Sequence, residues 1–161
     1  AGADQRHTLQ AGRNEIWRIQ GDPATYTSNP DGAGTPDIRT LRVHYKRFAG
    51  DYANWGLHLW PTSGIDTGRL PAGVPIDQWT NPVRFDQMPG YAAGTGEVVF
   101  DIPVLNPTGD AARTGVEFII HGLPPNQDDK DGRPENIRIA YGSLQISGQV
   151  GQVWLVQGDP T

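Results

Sequence analysis

Leu41-Arg42-Val43-His44-Tyr45-Lys46-Arg47-Phe48 and Trp55-Gly56-Leu57-His58-Leu59-Trp60 are the two runs that decide the fold. In the first, apolar Leu41, Val43 and Tyr45 alternate with polar Arg42, His44 and Lys46. Successive side chains of a strand point to opposite faces, so a period of two means one buried face and one wet face. In the second, Trp55, Leu57 and Leu59 alternate with Gly56, His58 and Trp60. Ala49-Gly50-Asp51-Tyr52 reads as a turn, and the pair predicts an antiparallel hairpin with a longer-than-minimal loop.

The same alternation recurs outward from this pair. Val98, Phe100, Ile102 and Val104 form a core strand. Val116, Phe118 and Ile120 form another, with Glu117, Ile119 and His121 opposite. Shorter runs at Val83 to Phe85, Ile137 to Tyr141, Leu144 to Ile146 and Gln152 to Gln157 complete the set. Pro61 to Asn81 and Gly122 to Pro134 read as loops. Gly (21) and Pro (14) make up about a fifth of the 161 residues, which argues against a helical bundle. About seven short strands with frequent turn signals predict an all-β, immunoglobulin-like antiparallel β-sandwich.

An octamer occurs twice. Ile16-Trp17-Arg18-Ile19-Gln20-Gly21-Asp22-Pro23 matches Val153-Trp154-Leu155-Val156-Gln157-Gly158-Asp159-Pro160 at five positions, with Ile for Val at two more. The offset of 137 residues is close to one domain and too long for a solenoid. The expected organisation is therefore a tail, 1–37, carrying the last strand of a preceding module (15–23) and a linker, followed by one module, 38–160. Strand 15–20 would lack its native partner and is expected to add to a sheet edge, giving some dimer.

Composition removes several function classes. Cysteine is absent, which excludes disulfide scaffolds, Cys-zinc sites and thiol nucleophiles. A net charge of -5 argues against a nucleic-acid partner. No apolar run reaches the ~18–20 residues of a membrane span, so no membrane insertion is expected. No leader is visible at the start, so the chain reads as cytosolic or already processed. Hydrolase, zinc-protease, P-loop and dinucleotide motifs are missing. Gln127-Asp128-Asp129-Lys130-Asp131-Gly132 hints at a calcium loop, but Arg138 stands where the bidentate Glu belongs. No catalytic residue, metal or cofactor is expected.

If Leu57 and Leu59 point inward, His58 and Trp60 point outward together. A flat indole can stack on the apolar face of a sugar ring, with neighbouring polar groups reading its hydroxyls. The alternative is that the 61–81 loop covers Trp60. For Trp154, packing within the closing strand is the expected role. Trp79 has no assigned place.

These residues resemble a known family. The run from Leu41 to Phe48, then Gly50-Asp51-Tyr52, then Trp55 to Trp60 is similar to the opening of the pullulanase-associated, α-glucan-binding module, carbohydrate-binding module family 41. Phe118-Ile119-Ile120-His121, Lys130-Asp131-Gly132 and Val153 to Asp159 continue the likeness in order, over about residues 38–160. The resemblance implies an immunoglobulin-like sandwich that binds starch, amylose, pullulan, glycogen or malto-oligosaccharides. It implies a non-catalytic role, targeting an attached debranching enzyme that is secreted or held at the cell surface, with tandem copies adding avidity. It also implies a carbohydrate site of two aromatics spaced by two, a Lys, and an acid five residues on. These fall on His58, Trp60, Lys130 and Glu135, with Asp131 competing for the acidic role. His58 and Glu135 depart from the family's aromatic and Asp. The rival readings are a structural or protein-interaction sandwich with a degenerate sugar site, and a small hydrolase.

Overall fold

The computed structural model describes residues 37–105, 115–131 and 136–158. They fall within a compact unit from Pro36 to Thr161. The expected strand 15–20, the first copy of the octamer and Glu135 lie outside the described residues.

The described chain is all β, apart from single 3-10 turns. Its strands are β1 (Thr40–Lys46), β2 (Trp55–His58), β3 (Val83–Arg84), β4 (Ala92–Ala93) and β5 (Val98–Pro103). β6 (Gly115–Gly122), β7 (Ile137–Ala140), β8 (Gln145–Ser147) and β9 (Val150–Val156) follow. They form two sheets, one ordered β4-β5-β1-β9-β8 and the other β3-β2-β6-β7. The two pack as the expected immunoglobulin-like β-sandwich. Pairing between these strands is antiparallel except where β9 runs parallel to β1.

The expected hairpin of the two opening runs does not form. β1 pairs with β5 and β9, whereas β2 pairs with β3 and β6 in the opposite sheet. The connection from Arg47 to Asn54 is an arch between sheets, not a turn within one. Both strands do bury the residues that alternation selects. Leu41, Val43 and Tyr45 of β1 are inaccessible to solvent, and so are Leu57 of β2 and Leu59 just beyond it. Phe100 and Ile102 of β5, Phe118 and Ile120 of β6, and Ile137 of β7 join them in the core. Alternation states which face is buried; it does not state which strand lies alongside.

Arg47 shows why the arch goes where it does. Its side chain is only 3% exposed, an unusual place for a cation. Its guanidinium donates to both carboxylate oxygens of Asp51, at 2.8 and 3.3 Å. It also donates to the Tyr45 hydroxyl at 3.0 Å and to Asp131 Oδ1 at 3.3 Å. Tyr45 in turn donates to the same Asp131 oxygen at 2.8 Å. The guanidinium lies 3.7 Å from the centroid of the Trp55 ring, a cation–π contact, and Trp55 Nε1 donates to Asp51. One cation thus ties the end of β1, the start of β2 and the loop after β6.

Removing one partner of a buried ion pair leaves the other charge uncompensated. Arg47→Met is therefore expected to cost about 3–5 kcal/mol, read as a lower urea midpoint. Replacing Asp131 by Leu in the same chain should recover part of that loss, because no lone carboxylate then remains buried.

Hydrogen bonding to Arg47 holds the Asp51 carboxyl below its ordinary value of 3.8. Its contribution is complete above that value and is lost as pH falls through the depressed folded value. Acid melting should accordingly be less steep in Asp51→Asn than in the parent below about pH 4.

Candidate functional site

The outer face of the β2–β6 sheet carries an aromatic cluster. His58 ends β2, and Trp60 stands two residues on, where the chain leaves the strand for a turn. That turn is fixed to the sheet. Ser63 Oγ donates to the Trp60 carbonyl at 2.6 Å, and Glu117 N of β6 donates to the Ser63 carbonyl at 2.8 Å. Gly64 has φ +89, and an added Cβ would meet the Gly115 carbonyl oxygen at 2.7 Å. Only glycine fits so close an approach with that backbone.

The 61–81 loop returns a second indole to this face. Asp77 N donates to the Leu59 carbonyl at 2.8 Å. Asp77 has φ 56, a left-handed conformation that Asp tolerates better than most residues. Two residues later, Trp79 lies flat on His121 of β6, with centroids 4.2 Å apart and planes 6° apart. Its Nε1 donates to Asp128 Oδ1 at 3.1 Å. This loop therefore covers His121, which is inaccessible to solvent, while Trp60 and Trp79 both stay partly exposed.

His58 stands among these rings. Its centroid is 5.6 Å from that of Trp60, 5.3 Å from Trp79 and 6.1 Å from His121. Its side chain is 13% exposed, so it offers little surface for stacking. Burial pushes its pKa down, against the opposing pull of Asp77, whose carboxylate lies 3.7 Å away. Burial lowers His121 as well. The neutral His121 ring donates from Nδ1 to the Gln127 carbonyl at 2.9 Å.

The two late-loop candidates differ sharply. Lys130 pairs with His121 through an isolated β-bridge, and its Nζ lies 5.9 Å from the Trp79 ring centroid. Lys130 thus joins the aromatic face. Asp131 does not. Its side chain is 2% exposed and accepts from Tyr45 and Arg47. Strand-like alternation sends the adjacent Lys130 and Asp131 side chains to opposite sides. Trp79 is the member of this aromatic face that periodicity missed, because it sits in an aperiodic loop. Its only sequence signal is that it is a tryptophan in a polar segment. A cleft of about 730 Å³ adjoins Trp60, lined also by Ser63, Glu117 and Arg138.

The imidazoles of His58 and His121 resist protonation when folded, whereas an unfolded imidazole titrates near 6.5. Below that pH the unfolded chain binds more protons, so stability is complete above about pH 6.5 and declines as pH falls. The slope of melting temperature between about pH 6.5 and pH 5 should flatten in His58→Gln.

The chain is similar in sequence to known proteins. A family model described as "Bacterial pullanase-associated domain" matches residues 39–161. An alpha-amylase of Streptomyces lividans is 26% identical over 117 residues, 73% of this chain and 10% of that protein. A solved structure, described as the product complex of the multi-modular glycogen-degrading pneumococcal virulence factor SpuA, aligns over 86% of this chain and 11% of its own. That alignment has 25% identity and a TM-score of 0.46. The chain spans about a tenth of the length of the proteins it matches.

Proposed function

The chain belongs to the bacterial pullulanase-associated domain family, and from that premise we propose that it is a non-catalytic α-glucan-binding module that holds an attached debranching enzyme on its polymer. The observation that carries this reading is the pair of partly exposed indoles, Trp60 and Trp79, set around His58 with Lys130 at the rim. The names of the similar proteins, an alpha-amylase and a glycogen-degrading factor, point to the same class of ligand. Where the resemblance implies two aromatics on one strand, this chain has His58 and Trp60, and the loop-borne Trp79 stands in as the second ring. His58 acts as a spacer that orients both indoles.

In this reading glucose units stack on Trp60 and Trp79, which suits the curved, ring-after-ring surface of an α-1,4 chain. Lys130 donates to ring hydroxyls, and Glu135 accepts from them. Charge-assisted bonds of this kind are stronger than neutral ones. Asp131 serves the buried Arg47 network instead. The ligand is a neutral polymer, met outside the cell by a secreted or surface-held enzyme. No described helix is long and apolar enough to cross a membrane. A second module copy in the same chain would raise avidity without any new contact. Strand 15–20, adding to a sheet edge of a neighbouring molecule, would give the dimer.

Calorimetry with maltoheptaose is the direct test, with cellohexaose as the control. Base stacking is worth about 1–3 kcal/mol per aromatic, so Trp60→Ala and Trp79→Ala should each weaken binding roughly ten-fold or more. Heat from maltoheptaose that is unchanged in both variants would remove the site. Absence of heat from the folded parent would favour the protein-interaction reading. Sedimentation analysis should show a dimer fraction that disappears when residues 1–30 are deleted; a strictly monomeric parent would end the strand-addition proposal.

A further inference from the structure

The other sheet of the sandwich presents an indole of its own. Trp154 of β9 is 51% exposed, while its neighbour Leu155 is buried. It therefore stands on the outer face, not in the packing role its strand position implies. Its ring lies against His44 of β1, with centroids 4.6 Å apart and planes 13° apart. The two residues are register partners across the parallel β1–β9 pair. His44 is held from one side, with Nε2 3.3 Å from the Gln152 amide oxygen, while a Glu97 carboxylate oxygen stands 3.6 Å from Nδ1, beyond hydrogen-bonding distance.

One face of the indole is thus fixed against His44. The other side is clear of strand neighbours, because β8 pairs with β9 only from Val150 to Gln152. The surroundings are polar but balanced. Arg42 donates to both carboxylate oxygens of Asp101, at 2.8 and 2.9 Å. Gln145 is the register partner of Gln152 and is exposed. A stable protein interface needs about 800 Å² per partner with several apolar anchors. Here the indole stands among amides and the paired Arg42 and Asp101, with Lys46 and Phe48 exposed further along β1 and beyond its end. That combination fits a neutral, hydroxyl-rich ligand with one flat apolar face, namely a pyranose. The repeated octamer points the same way: Trp17 matches Trp154, whereas buried Leu155 is matched by Arg18. The two copies of the octamer keep the tryptophan and differ at the residue beside it.

We propose that Trp154, backed by His44, is a second α-glucan contact on the sheet opposite Trp60 and Trp79. A glucose ring stacks on the free side of the indole, and the Gln145 and Gln152 amides bond its hydroxyls. This rests on the α-glucan reading above. Two contacts on opposite faces let one module hold two segments of a branched or bundled polymer, raising retention on polymer more than affinity for a short oligosaccharide.

The test follows each indole N–H by NMR during titration with maltoheptaose, with assignments from single Trp→Phe variants. The expected result is movement of the Trp154 signal in the parent and also in Trp60→Ala. Retention of Trp154→Ala on a glycogen gel should fall severalfold, with maltoheptaose-induced shifts at Trp60 intact. A Trp154 signal that stays still while Trp60 and Trp79 move overturns this inference and leaves the first site standing. Movement of Trp154 alone supports it and overturns the first site. If none of the three moves, both fall.

Discussion

Arg47 is the point at which the two sheets are made to agree. A guanidinium with five donors is placed where only carboxylates and a phenol can satisfy it, and Asp51, Asp131 and Tyr45 supply them. Tyr45 and Asp51 flank Arg47 in sequence, whereas Asp131 comes from the loop after β6. The burial of one cation thereby fixes the arch after β1, the entry into β2 and the path of the loop after β6. Such an assembly contributes less to net stability than an apolar core of equal volume. Its effect is on geometry, since any other arrangement leaves a charge unpaired.

The aromatic face inherits its order from that network. β2 delivers His58 and Trp60, and β2 begins at Trp55, beneath the guanidinium. The late loop delivers Lys130, one residue before Asp131, which the same guanidinium holds. The middle loop delivers Trp79 and is pinned to the backbone through Asp77 and Leu59. Three segments distant in sequence thus converge on one patch. Each is anchored by a contact made just beside the residue it presents.

Both sheets therefore present indoles outward, but by different physical means. On the β2–β6 sheet, rings are stacked across a returning loop, and His121 is sealed beneath them. On the β1–β9 sheet, Trp154 is braced by its direct cross-strand partner, with no loop involved. Cross-strand ring pairs are the ordinary way a sheet orders side chains on one face. An indole braced on one side and open on the other is ordered without a ligand, which lowers the entropic cost of stacking.

Much of this was legible from residue order, and the limits are specific. Alternation placed β1, β5, β6 and β7 and chose their buried residues, because strand geometry is local and has a period of two. It read β1 and β2 as a hairpin, since period two describes faces and is silent about partners. The resemblance selected Trp60 and Lys130, and the structure brings both to one face. Trp79 carried no periodic signal, and neighbouring Lys130 and Asp131 were equivalent as charges until one was seen inside and the other at the rim. The order of residues by itself thus determined which side chains are inward and that the fold is all β. The tertiary structure alone decided which strands meet, which acid is buried and which rings share a surface. Those outcomes depend on contacts between residues tens of positions apart, which no local pattern encodes.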